Sequence, residues 1–416
     1  MNNKGLRQFI RKIYGFAFLN ALVLLSPVYA IFMQEHGVSD MQLSTLFIFY
    51  SVGVAVAQFP VAWFGRLFGN KKTILFGQSL KALCFVIWFL VPNFWGFMIG
   101  FMLWGFQGAI YNVAYESLLY DELKARRHRD VYAKVLGRRK AISTVGSALS
   151  AAGSLLLFLG YEVILVASVT SVLLSALCIM NIKIRTKIQT VQKTVSFMKL
   201  FKSGVKIVSR TPCILYMLLL CTMVGNLSYL DDYFSLIGLE IGLRKEFVGA
   251  VPFFIMCCQI VGQMVAHKFQ KIKDSSLYGF VSFAGLIFVA FACFYSVPGL
   301  LLLGFAYIAF SIIKILMYTR FQDFIPVAHR PIALSLYSIS DNVMYVGSML
   351  LIGVGSTIGG GGWRYGILIM GMACVFLGMW AILFVKDKCA ITIVPPKTKM
   401  QKVRVESTSS NSPSKF

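Results

Sequence analysis

The chain has 416 residues, of which 58% are apolar and only 13% charged, against about 45–50% and about 25% in an ordinary soluble domain. With a mean hydropathy of +0.75, that composition excludes a soluble enzyme, a disordered protein and a secreted disulfide scaffold. The net charge of +24, from 40 Lys+Arg against 16 Asp+Glu, would suggest nucleic acid in a soluble protein, but here it suits a membrane protein whose cytoplasmic loops collect basic residues.

Each helical span needs roughly 20 apolar residues. Twelve such segments are expected, over residues 14–33, 43–65, 73–91, 94–119, 140–160, 163–182, 213–236, 247–268, 276–295, 299–319, 332–357 and 365–385. Backbone groups in lipid must bond internally, so these segments are expected to be helices. None has the period-two alternation of a membrane barrel. The first follows Lys4, Arg7, Arg11 and Lys12, and Val28-Tyr29-Ala30 loosely resembles a cleavage site. Because the apolar run continues through Phe32 and a second span follows soon, a retained helix is preferred to a signal peptide.

The basic residues are one-sided. With the N-terminus taken as cytoplasmic, 35 of the 40 Lys+Arg fall on that side, three (Arg244, Lys245, Arg364) on the other, and two (Lys81, Lys314) inside spans. This asymmetry places both termini in the cytoplasm and removes the reason to invoke nucleic acid. The expected organisation is an N-terminal six-helix bundle over 1–182, a cytoplasmic linker over 183–212, a C-terminal six-helix bundle over 213–390 and a disordered tail over 391–416. In the linker, Phe197, Phe201, Val205 and Val208 fall on one helical face and Lys199, Lys202 and Lys206 on the other. That pattern suits a helix lying on anionic headgroups, with a plain solvated linker as the alternative.

The nine cysteines and four histidines form no C-x-x-C spacing and no Cys/His cluster, so neither a metal nor a cofactor is expected. Gly359–Gly362 lacks the Gly-Lys-Ser/Thr of a phosphate loop and is expected to be the hinge between the last two spans. With no ATP signature, the energy source is expected to be a gradient.

The halves are weakly repeated. The loop after the second span, Phe59-Pro60 followed by Ala62-Trp-Phe-Gly-Arg66-Leu-Phe-Gly69-Asn-Lys71-Lys72, is echoed about 200 residues later by Gly262-Gln-Met-Val-Ala-His-Lys-Phe-Gln-Lys-Ile-Lys273. This loop resembles that of the major facilitator superfamily, Gly-x-Leu-Ala-Asp-Arg-x-Gly-Arg-Lys. Gly69, Lys71 and Lys72 match, while Arg66 stands where the family carries an aspartate that helps latch the cytoplasmic side. A second stretch, Glu116-Ser-Leu-Leu-Tyr-Asp121-Glu-Leu-Lys124 with Tyr132 and Gly137-Arg-Arg139, is similar to a bacterial branch with a Leu-Tyr-Asp-x-Leu motif. Asp231-Asp232-Tyr233, and Pro326 with Arg330, resemble that branch too. The resemblance implies an all-α integral membrane protein with twelve transmembrane helices in two pseudo-symmetric six-helix bundles. It also implies a central cavity lined by helices one, four, seven and ten. The Gly-Pro pair of the family's drug antiporters is missing from Gly146–Ser154.

Charged groups inside spans are costly and are functional candidates by default. They are Glu116, Asp231, Asp232 and Asp341 with Lys81 and Lys314. Asp231 and Asp232 are expected to bind protons or a cationic group, with one of the two facing the cavity. The alternative is a pair of residues at a wet outer mouth. Lys314 either pairs with Asp341 or contacts substrate directly. Glu116 either pairs with Lys81 or joins a cytoplasmic gate with Arg66, Gly69, Lys71, Lys72, Asp121, Arg139 and Arg330. Asn112 and Asn226, with Asn20, either face the cavity or bond between helices.

These readings converge on a secondary transporter of a small organic solute in a bacterial inner membrane. It would be proton-coupled and active as a monomer, with small-molecule substrate, protons and the lipid bilayer as its partners. Export is favoured narrowly over proton-linked uptake. The rival from another class is a non-transporting membrane sensor or assembly partner.

Overall fold

The computed structural model describes residues 3–128, 131–185, 212–323, 330–358 and 362–384. The amphipathic stretch expected at 197–208, the tail at 391–416 and the glycines at 359–361 lie outside them. All described regular structure is helical. In chain order the helices are α1 (Asn3–Ala21), α2 (Tyr29–Glu35), α3 (Asp40–Phe68), α4 (Asn70–Leu90), α5 (Phe94–Ile110), α6 (Glu116–Ala125), α7 (Tyr132–Ser150), α8 (Tyr161–Met180), α9 (Pro212–Leu227), α10 (Phe234–Glu240), α11 (Ala250–Val265), α12 (Asp274–Cys293), α13 (Leu300–Asp323), α14 (Arg330–Ile358) and α15 (Trp363–Phe384). A single widened turn, Tyr111–Tyr115, joins α5 to α6, and a tighter stretch, Ala151–Leu159, extends α7.

Nine helical segments among the described residues are long and apolar enough to cross a membrane. They account for nine of the twelve expected spans. The first and seventh expected spans are not single helices. α1 stops at Ala21, the chain turns through residues 22–28, and α2 resumes at Tyr29. Likewise α9 stops at Leu227 and α10 resumes at Phe234 after the turn Asp231–Tyr233. The freed amides are taken by side chains: Leu25 N donates to Ser168 Oγ at 3.0 Å, and Leu230 N to the Tyr307 hydroxyl at 3.1 Å. Broken backbone at membrane depth is tolerated only where protein satisfies it in this way. The eleventh expected span lies within α14, whose first half is rich in Ser, Asp and Asn.

Local sequence explains several boundaries. Ser39 and Gln42 form a reciprocal capping box that starts α3. Asn93 starts α5 by accepting from Trp95 N and Gly96 N, both at 3.1 Å. Gly69 alone separates α3 from α4 at φ +82°, a conformation that costs a side-chain-bearing residue far more than glycine. Along α3 and α5 the backbones touch: a Cβ on Gly105 would lie 2.2 Å from Tyr50 O.

Helices α1–α8 pack mainly on one another, as do α9–α15, and α3 against α14 is the most extensive contact between the two groups. The outer faces are apolar: Phe76, Phe158, Phe305 and Phe376 are 56%, 73%, 62% and 68% exposed. Large contiguous apolar surface is rare on soluble monomers and is what lipid requires.

Candidate functional site

Between the two groups lies a cavity of about 610 Å³. Tyr50 and Ser51 of α3 and Lys140 of α7 line it from one group. Asn226 of α9, Lys314 and Tyr318 of α13, and Tyr337, Asp341 and Tyr345 of α14 line it from the other. Above it sits a smaller chamber of about 200 Å³ that shares Tyr50, Tyr229 and Tyr345 with the cavity and adds Asp232, Tyr29 and Trp104.

One end of the boundary between the groups is closed by hydrogen bonds. The Tyr29 hydroxyl donates to the Asp232 carboxylate, Ser235 Oγ donates to Pro27 O, and Lys245 pairs with Glu35. The Ser44 and Tyr233 hydroxyls lie 2.8 Å apart, and Gly249 N donates to Ser154 Oγ at 3.2 Å. Further along α3 and α14, Ser51 donates to Asn342 at 3.2 Å and Gln58 to Ser338 at 3.4 Å. Beside the closed end, Glu240 accepts from the Tyr295 hydroxyl at 2.5 Å and from Trp363 N at 3.0 Å. Partial desolvation there holds its carboxyl above the ordinary glutamate range, though both hydrogen bonds pull the other way.

The expected charged residues are brought together in part. Asp231 and Asp232 lie on the tight turn between α9 and α10. Asp232 lines the upper chamber and also accepts from the Tyr345 hydroxyl at 3.1 Å. Asp231 is exposed beside Gln259 and within electrostatic reach of Lys314. The expected Lys314–Asp341 pair is not formed. Asp341 instead accepts from Asn226 at 2.9 Å, because that amide reaches it directly from the neighbouring helix. Lys314 makes no ion pair or hydrogen bond among the described residues, while the charges of both Asp231 and Asp341 act on it. Asn226 thus serves as a link between helices, and Asn112 is exposed at the widened turn.

The expected gate is only partly assembled. Arg139 pairs with Glu116 at 3.2 Å, donates to the Tyr111 hydroxyl at 2.8 Å and lies over the Tyr115 ring at 5.2 Å. Asp121 is not part of this pair; the charges acting on it are those of Lys124 and Glu122. Lys71 donates to Met180 O and Ile182 O at 2.7 and 2.9 Å, a favourable place for a cation at the C-terminal end of α8. Gly69 forms the turn before it, and Lys72 is exposed. The side chains of Arg66 and Arg330 lie outside the described residues. The Glu116–Lys81 alternative is not formed either. Lys81, 3% exposed, donates to Asn20 O at 2.8 Å and to Asn20 Oδ1 at 3.2 Å. The same Oδ1 receives the amides of Gln78 at 3.3 Å and Gln107 at 3.4 Å.

Two groups of residues were missed from the sequence. Glu122, not among the expected site residues, is fully buried, pairs with Arg126 at 3.1 Å and accepts from Arg185 N at 2.8 Å. The i,i+4 spacing to Arg126 was its one signal. The tyrosines lining the cavity carry no charge pattern, so their only sign was aromatic residues recurring in spans two, seven, ten and eleven.

This arrangement, a helical membrane protein with a polar cavity between two helical groups closed at one end, is that of a transporter. The Major Facilitator Superfamily profile matches residues 13–340, and the chain belongs to that family of secondary transporters; it is not an enzyme. No curated protein matches it in sequence. Among solved structures it is similar to a bacterial homologue of the human lysosomal transporter Spinster in an inward-facing, unoccupied conformation, with a TM-score of 0.74 at 14% identity over 94% of this chain and 98% of that one. It is also similar to a D-xylose–proton symporter, with a TM-score of 0.67 at 11% identity over 90% and 96%. A third is the nucleoside transporter NupG (D323A mutant), with a TM-score of 0.70 at 10% identity over 94% and 100%. At such identities the likeness concerns the fold.

Proposed function

We propose that the protein is a proton-coupled secondary transporter that carries a small organic solute across a bacterial inner membrane by alternating access. One observation carries the reading. Lys314 and Asp341 line a single cavity at membrane depth, and Asp231, from a third element, acts on the same amine. Ionisable groups placed there are costly and mark ion or substrate pathways. Two carboxylates acting on one amine, unpaired among the described residues, provide a site where gaining a proton and losing a substrate can be linked. The broken first and seventh spans count as spans in this reading. They complete twelve in two pseudo-symmetric six-helix bundles, 1–182 and 213–390. The one-sided Lys and Arg distribution supports cytoplasmic termini. The cavity, which reaches Lys140 at the start of the fifth expected span, then opens to the cytoplasm. The unit is a monomer, since both halves of the site come from one chain, and export in exchange for protons is its first form.

The test uses everted membrane vesicles energised by respiration and a dye reporting lumenal pH. An exported solute alkalinises the lumen on addition, in the wild type but not in Asp231→Asn or Lys314→Gln. The opposite sign converts the reading to uptake. Solute flux that ignores an imposed pH gradient in the wild type and persists in both variants overturns the coupling.

A further inference from the structure

The upper chamber differs in chemistry from the cavity beneath it. Among the described residues, seven of the nine that line it are aromatic, and Asp232 is the single charge. Lys314 and Lys140 line the lower cavity and not the chamber. The rings pack in two sets, one from each helical group. Tyr29 stands edge-on to Phe101 at 6.0 Å and to Trp104 at 6.2 Å, Tyr50 to Trp104 at 6.3 Å, and Tyr229 to Tyr345 at 5.4 Å. Two of these rings, Tyr29 and Tyr345, give their hydroxyl protons to Asp232. Lys81 approaches Trp104 at 5.7 Å but does not line the chamber.

Ring faces attract cations through their quadrupole, and a cage of them around an anion is how alkylated ammonium groups are held. The two tyrosine protons already occupy part of the Asp232 carboxylate. A group with no protons to donate, such as a trimethylammonium, needs only its charge and the ring faces. A primary ammonium must compete for the remaining lone pairs. At about 200 Å³ the chamber falls below the roughly 300–1,000 Å³ of a site for a whole drug-sized ligand, so it suits a head group whose remainder extends into the cavity of about 610 Å³ below.

We propose that the aromatic chamber around Asp232 is a binding site for the alkylated ammonium head of an organic cation. This names the substrate class and rests on the transport reading above. Tyr29, Phe47, Tyr50, Phe101 and Trp104 come from one helical group, and Tyr229, Asp232 and Tyr345 from the other. A cation in the chamber therefore bridges the two groups, and its departure is linked to their separation.

The test measures binding of choline, its neutral isostere 3,3-dimethylbutan-1-ol, ethanolamine and glutarate to the purified full chain. The readouts are tryptophan fluorescence and thermal stabilisation, with counterflow of labelled choline in proteoliposomes alongside. Choline is expected to bind at least about tenfold more tightly than its neutral isostere, as a desolvated cation–π cage provides, and more tightly than ethanolamine. That preference is expected to shrink in Asp232→Asn, which removes the anion but keeps the rings, to weaken in Tyr229→Leu and to survive in Tyr229→Phe, which keeps the ring. Equal binding of choline and the isostere, or a preference undiminished in Asp232→Asn, overturns the proposal. So does proton-coupled flux of glutarate or a neutral solute without choline binding, an outcome that leaves the transport reading standing. Choline binding with the expected preference but no flux of any solute supports the site and defeats the transport reading.

Discussion

Replacing Tyr29 by Phe tests whether the closed end is held by bonds between the two helical groups. The ring keeps its edge-on neighbours Phe47, Phe101 and Trp104, at 5.8, 6.0 and 6.2 Å, so only the hydroxyl is lost. That hydroxyl, on a residue 6% exposed, donates to the Asp232 carboxylate across the boundary. A hydrogen bond to a charged group contributes roughly 1.5–3 kcal/mol, which shifts the equilibrium toward an open end by about tenfold to a little over a hundredfold. Asp232 keeps the Tyr345 hydroxyl at 3.1 Å, so its charge is not stripped of donors and the lower part of that range is expected. The internal control is Lys245→Gln. Its pair with Glu35 also crosses the boundary, but the two side chains are 55% and 34% exposed, and pairs this wet contribute about 0–1 kcal/mol. Hydrogen–deuterium exchange of peptides covering 26–38 and 228–247, measured on protein in lipid nanodiscs, reports the open population. Exchange is expected to accelerate clearly more in Tyr29→Phe than in Lys245→Gln. Equal rates in the two variants would refute the idea that the buried carboxylate bond holds this end shut.

Other expectations follow from the same geometry. Glu116→Gln leaves the guanidinium of Arg139, only 4% exposed, with no anion. Stranding a buried charge costs about 3–5 kcal/mol; because the Glu116 side chain is itself 46% exposed, roughly 1–2 kcal/mol is expected. Arg139→Met is expected to cost less, since it leaves a carboxylate that water can reach, and thermal melts of the single and double variants give the coupling energy. Asn20→Ala removes the shared acceptor of Lys81, Gln78 and Gln107. With each stranded donor costing about 1–3 kcal/mol, it should lower the melting temperature more than the exposed-site control Lys72→Ala, and equal melting temperatures would sink this assignment. For Glu240 the folded carboxyl sits above the ordinary range. Its stabilising contribution is therefore complete below the unfolded value and lost as pH rises through the folded one. Glu240→Gln should flatten the fall in melting temperature over that window, and an unchanged slope counts against the assignment.

Much of the helical layout is legible in the sequence because apolar run length is a direct demand of the bilayer. The charged candidates are legible for the same reason: a charge inside a span is costly, and Lys314, Asp341 and Asp231 each fall within an expected span. What the sequence conceals is direction and competition. Nothing in the spacing of Lys314 and Asp341 reveals that Asn226 reaches the carboxylate first. Lys81 and Glu116 sit at matching depths, but the lysine turns to the end of α1, whose last carbonyls lack helical partners. Hydropathy averages over a window and is blind to a break that side chains repair, so the interruptions before Tyr29 and Phe234 were read as continuous spans. The aromatic chamber is invisible by the same logic, since each of its rings looks like ordinary lipid-facing or core residue until the fold gathers them.

The widened turn Tyr111–Tyr115 has a consequence for everything that follows it in the chain. A helix advances about 100° per residue, and a turn of this kind accommodates one residue more than regular winding does. It therefore resets the phase of α6 relative to α5. With that phase, Glu122 arrives against the backbone of Arg185, and the Tyr111 hydroxyl meets Arg139. A chain one residue shorter between Ile110 and Glu116 would keep nearly the same length but rotate α6 by about a quarter of a turn or slightly more. Its buried carboxylate would then be carried round the rod, away from its donors. The bulge acts as an angular adapter, through which one half of a membrane rod is clocked to the aromatic chamber, by Phe101 and Trp104, and the other half to the ends of its neighbours.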